Sequence, residues 1–169
     1  MSTTPEKLGH DRSSRRDLLC LHVSSPTSLR AFRAPSPHFV CLLVWDSQEE
    51  SVATVSHVVE QVLESGCVYV CAWGRGCERV HDIFDETLVG NDPDPADDSI
   101  VMTTWHADES LEDALWFFLR CTVPQERFEP SCRSSVVILF GSAGEHAVSV
   151  RRALAQPEDF ARRVEDAGE

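Results

Sequence analysis

Lysine is almost missing from this 169-residue chain, with Lys7 as its single example. Several chemical signatures are missing too. There is no Cys-x-x-Cys pair, which argues against a structural zinc module. There is no Walker-type phosphate loop and no Gly-x-Ser-x-Gly elbow, so neither of those motif-borne activities is indicated. No apolar run approaches the length that spans a bilayer. The first residues are polar and charged, without the apolar core of a signal peptide, so a cytoplasmic protein is expected.

Acids outnumber bases 28 to 15, for a formal net charge of -13. The first 37 residues run the other way, with Glu6, Asp11 and Asp17 against Lys7, Arg12, Arg15, Arg16, Arg30 and Arg33. The rest of the chain therefore repels a phosphate backbone, and nucleic acid is not expected as a partner. Such a surface suits a basic protein partner, or serves solubility alone. The seven cysteines are odd in number and several fall inside apolar runs, so they read as reduced core residues.

Residues 1–37 read as a polar, basic tail and connecting segment. The stretch 17–23 could form a short strand or a helical turn, and Pro26, Pro35 and Pro37 punctuate the stretch 24–37. A regular alternation then fills 38–169, read as a single α/β domain. Apolar runs at 39–45, 67–73, 99–105 and 136–140 suit strands buried on both faces. Between them, 50–65, 77–89 and 110–123 carry apolar residues at helical spacing, and helices over 143–155 and 157–166 come after the last run. Ser47 with Glu50 resembles a capping box, Ser110 a second cap, and Pro157 a helix start. The alternation predicts an open, mostly parallel sheet of four or five strands with helices on both faces, a flavodoxin- or Rossmann-like three-layer sandwich. The favoured order of the four central strands is 2-1-3-4.

Sites in such sheets form at the carboxyl ends of the strands. Those ends carry Trp45-Asp46, Trp73-Gly74-Arg75-Gly76-Cys77, Thr103-Thr104-Trp105-His106 with Asp108 and Glu109 beyond, and Gly141-Ser142. Trp45, Trp73 and Trp105, with Gly74, Arg75 and Gly76, would wall a ligand pocket, or the tryptophans would cap the core beneath the loops. A helix-start Cys77 with His106 as base and Asp46 or Asp108 as orienter would instead make a nucleophilic set. The Gly74–Gly76 turn lacks the third glycine of a dinucleotide fingerprint, since Arg79 stands there. Glu78, His81, Asp82 and Asp85 share a helix, but the single Glu-x-x-His unit reads as a solvated face. The acids at 92, 94, 97 and 98 lack the glycine and terminal glutamate of a calcium loop. No metal or cofactor is assigned. A phosphoacceptor receiver is also excluded, because its strand-end lysine has no counterpart.

Two stretches carry a resemblance. One is Trp73-Gly74-Arg75-Gly76-Cys77-Glu78 with His81-Asp82 behind it. The other is Thr103-Thr104-Trp105-His106, followed by Glu109-Ser110-Leu111 and Ala114-Leu115-Trp116-Phe117. Over residues 38–141 the chain resembles a small family of bacterial proteins of unknown function. The resemblance agrees with a Rossmann-like fold and implies no activity. Two functions are therefore weighed. The first is a non-catalytic binding module that uses the aromatic strand-end surface to hold a small ligand or a protein partner. The alternative is a thiol-dependent hydrolase or transferase.

Overall fold

A computed structural model describes residues 4–141 and 144–169, the side chains of residues 144 and 145 apart. The expected turn residue Ser142 lies outside the described residues. Among the described residues, six strands form one sheet: β1 (Glu6–Asp11), β2 (Arg16–Val23), β3 (His38–Val44), β4 (Cys67–Trp73), β5 (Met102–His106) and β6 (Cys132–Phe140). Their order is β1-β2-β6-β3-β4-β5, with β1 antiparallel to β2 and every other pair parallel. Five helices accompany them: α1 (Val52–Glu64), α2 (Cys77–Asn91), α3 (Leu111–Arg120), α4 (Gly144–Ala155) and α5 (Pro157–Ala167).

Strand alternation sorts the core into two layers. Phe39, Cys41, Leu43 and Trp45 face one side, where α1 and α2 pack together with Leu29 and Phe32. Val40, Leu42 and Val44 face the other side, against α3, α4 and α5. An inner strand buried on both faces has no solvated side, and this is why its sequence is a continuous apolar run.

Four expectations need correction. Among the described residues the sheet has six strands, not four or five, because the N-terminal hairpin adds two. Residues 6–16 are not a loose tail and 17–23 take the strand alternative: together they form a β-hairpin whose second strand pairs along seven residues with β6. Leu18, Leu19, Cys20, Leu21 and Val23 are all buried there. The strand order also differs, because β6, not β5, lies beside β3. Helix α3 packs on the opposite face from α1 and α2, so the chain returns past β4 and β3 before laying down β6. Periodicity reports which residues are buried and carries no record of neighbours. Finally, Ser51 caps α1 by accepting the Thr54 N–H at 3.1 Å, whereas Ser47 is buried in the turn before it. Ser110 caps α3 as expected, accepting the Asp113 N–H at 3.1 Å.

Candidate functional site

The order of the strands places a crevice. After β3 the chain leaves to α1 on one face, and after the adjacent β6 it leaves to α4 on the other. Loops that diverge from neighbouring strands leave a hollow between them, the usual ligand position in open α/β sheets. A cavity of about 520 Å³ lies there. Its walls include Trp45, Asp46, Trp73, Arg75, Gly141 and His146.

The base of this cleft is rigid because the β3 and β4 ends are joined beyond the sheet itself. The Trp45 N–H donates to the Trp73 carbonyl at 3.0 Å and the Ser47 N–H to the Arg75 carbonyl at 2.9 Å. The approach is so close that a Cβ at Gly74 would lie 2.2 Å from the Trp45 carbonyl oxygen, and the Gly74 φ of 116° adds backbone strain for any other residue. Gly76, at φ 83°, is pressed against Ser47 and Gln48 in the same way. Arg79 ties down the remaining loop by donating to the Ser47 and Glu50 carbonyls at 2.6 and 2.7 Å. The residue that replaces the third fingerprint glycine is thus part of the loop's scaffold.

Side-chain direction decides which predicted residues meet. Trp45 is only 4% exposed and stacks on Phe140 with ring centres 4.8 Å apart, so it floors the cleft as part of the core. Trp73 is half-buried. Its indole N–H donates to the Glu109 carbonyl at 2.8 Å, and its ring meets the His146 ring edge-on at 5.2 Å. Asp46 pairs with Arg75 through the guanidinium Nε at 3.0 Å and through a terminal nitrogen. Asp46 holds the Arg75 pKa above its usual value, but both groups are largely solvated, so the pair orients more than it stabilises. Trp105 stands apart from the cleft. It lies on the edge strand, 43% exposed, against the His81 ring at 4.4 Å. The His81 Nε2 lies 3.4 Å from an Asp85 carboxylate oxygen on that helix face, and no metal-ligating cluster occurs among the described residues.

Trp73, Gly74 and Arg75 also wall a second hollow of about 500 Å³, which contains Cys77, His106 and Asp108. The nucleophilic set does not assemble in it. Cys77 is buried with the α1–α2 layer, and its sulfur accepts from the backbone N–H of His106. One step along β5 reverses side-chain direction, so the His106 ring turns to the α3 face and packs on Phe117. Its Nδ1 bonds Glu109 at 2.8 Å and its Nε2 bonds Thr104 at 3.1 Å. Burial pushes the Cys77 thiol pKa up, away from a thiolate. The Cys77 N–H is donated to the Gly74 carbonyl, and Glu78 occupies the first turn of α2, so that helix start is a poor anion seat. Iodoacetamide at neutral pH should therefore label the partly exposed Cys121 first and Cys77 late. Fastest labelling at Cys77 would contradict this placement.

Sequence reasoning missed Phe140, His146, Ser24 and Pro26 as cleft residues. The last two come directly after β2, whose sequence suits a strand or a helical turn equally. It also missed Glu109 as the partner of His106, although their spacing of three residues was the available signal for the bond.

No helix among the described residues is long and apolar enough to cross a membrane. No curated protein and no solved structure matches the chain. One family does: residues 18–157 match a domain of unknown function (DUF7684), and the chain belongs to that family.

Proposed function

We propose that this chain is a non-catalytic binding protein that holds a small polar ligand in the cleft between the ends of β3 and β6. The observation that carries the reading is the cleft itself. Its volume falls within the range of about 300–1,000 Å³ usual for ligand pockets. Trp73 offers an apolar face, while Arg75, Asp46 and His146 offer convergent polar groups. The locked β3 and β4 loops limit the ordering cost of binding. The absence of a nucleophile–base pair between Cys77 and His106 favours holding over transforming the ligand.

The fold is read as a variant of the three-layer sandwich found in flavodoxin- and Rossmann-like proteins, sharing their strand-end site but not their strand order. A cytoplasmic setting and a basic protein partner for the acidic surface complete the proposal.

The test compares two tryptophans. Small-molecule fragments that raise the melting temperature of the wild-type protein should lose at least about tenfold in affinity with Trp73→Ala, the size expected for removing a central aromatic contact. Trp105→Ala, outside the cleft, should leave them unchanged. Loss with Trp105→Ala and retention with Trp73→Ala would overturn the reading.

A further inference from the structure

The amino-terminal end of the parallel strands carries a different kind of hollow. Because β2 and β6 run parallel, their first residues, Arg16 and Cys132, sit together at the amino end. Helix α3 ends beside them at Arg120. Together with Arg133 these elements enclose a cavity of about 240 Å³. Three arginines on three elements thus meet on a chain of net charge -13.

Arg16 is the unusual member. It is only 7% exposed, yet its guanidinium donates to neutral partners alone: the Thr122 hydroxyl at 3.2 Å, the Thr122 carbonyl at 2.6 Å and the Ser135 hydroxyl at 3.4 Å. No carboxylate forms an ion pair with it among the described residues. Burial draws its pKa below the usual arginine value, and the nearby Asp11 charge offsets this only in part. The nearest acid, Asp11, is committed elsewhere. Its carboxylate takes Arg120 at 3.4 Å, the N–H groups of Ser13 and Ser14, and the Ser14 hydroxyl at 2.7 Å. The acid in the wall itself, Glu129, is exposed. A buried cation is costly without a counter-charge, so an arriving anion finds much of that cost already met by the fold.

We propose that this hollow is a binding site for a phosphate group, gripped by Arg16, Arg120 and Arg133. A planar carboxylate is satisfied by one guanidinium fork. Three guanidinium groups from three directions suit a tetrahedral oxyanion of higher charge. Leu119, Val123 and Pro124 supply an apolar side that fits the carbon skeleton of a phosphate ester. The site lies at the opposite end of the strands from the cleft and does not depend on it.

Thermal melting in inorganic phosphate and in glycerol phosphate, each exchanged against chloride at constant ionic strength, tests this. The melting temperature of the wild type should rise with either anion and saturate, following the concentration dependence of a ligand that binds only the native state. In Arg133→Ala, an exposed position that leaves the core intact, the half-saturating concentration should rise about tenfold. Arg162→Ala, an exposed arginine on α5 outside the hollow, should respond like wild type. A lower half-saturating concentration for glycerol phosphate identifies an ester as the ligand, and equal values identify recognition of the phosphate group alone. No saturable rise in the wild type, or equal responses from wild type and Arg133→Ala, would overturn the proposal.

Discussion

A chain that begins at residue 24 will fail to fold. Removing residues 1–23 takes away β1 and β2, and with them the buried side chains of Leu18, Leu19, Leu21 and Val23. Full burial of one such side chain contributes roughly 1.5–3 kcal/mol, so these four alone approach the net stability of about 5–15 kcal/mol of an ordinary domain. The loss also strips β2 from the seven residues of β6 it pairs with, leaving Ser134 to Phe140 on an open edge while β3 holds the other side. An unpaired apolar edge recruits other chains. The truncated protein is therefore expected in the insoluble fraction, or as a chain without a cooperative melting transition. If residues 1–23 were a tail, the same truncation would melt at the wild-type temperature, so circular dichroism against temperature separates the two cases.

Alkaline pH will destabilise the protein steeply. Burial pushes the thiols of Cys20 and Cys132 up to about 11 and that of Cys71 up to about 12, from an ordinary value of 9.0. Cys41 is also raised, by its own burial and the neighbouring Cys67. In the unfolded chain these groups lose their protons near pH 9, while the folded protein still holds them. Between pH 9 and 11 the unfolded state therefore binds fewer protons and stability falls as pH rises. The stabilisation is fully present below about pH 9. Each such thiol removes up to about 1.4 kcal/mol per pH unit, and three together about 4 kcal/mol per unit. Urea denaturation should give a flat stability from pH 7 to 8.5 and a collapse before pH 11. Cys71→Ala, though less stable at neutral pH through its lost volume, should show a shallower slope by about 1.4 kcal/mol per pH unit. Equal stability at pH 8 and pH 10 would contradict the placement of these thiols in the core.

The core of the sheet was readable because inner strands and amphipathic helices announce themselves. The run Cys67–Trp73 and the start of α2 at Cys77 stand where the pattern puts them. The hairpin at 6–23 was harder to read because β2 opens with Arg16 and Asp17, charges that look like surface. The first half of β6 was hidden for a related reason. Ser134 and Ser135 are buried, but their partners are remote: the Ser36 hydroxyl donates to Ser134 at 2.8 Å, and Arg16 donates to Ser135. Polar residues satisfied by partners far along the chain leave no local trace. At the candidate cleft, Trp73, Gly74 and Arg75, named by the strand-end rule, stand in the wall, yet one residue of parity sends Trp105 to the α2 face and His106 to the α3 face. Parity and strand order together decide that Phe140 and Gly141, not the end of β5, face Trp45 across the cleft.

A crystallographic fragment screen of the full chain tests the central claim most directly. Fragments are expected to collect between the ends of β3 and β6, with an aromatic ring on Trp73 and a polar group reaching Arg75 or His146. Fragments spread over other surfaces while this cleft stays filled only by water would contradict a ligand site there.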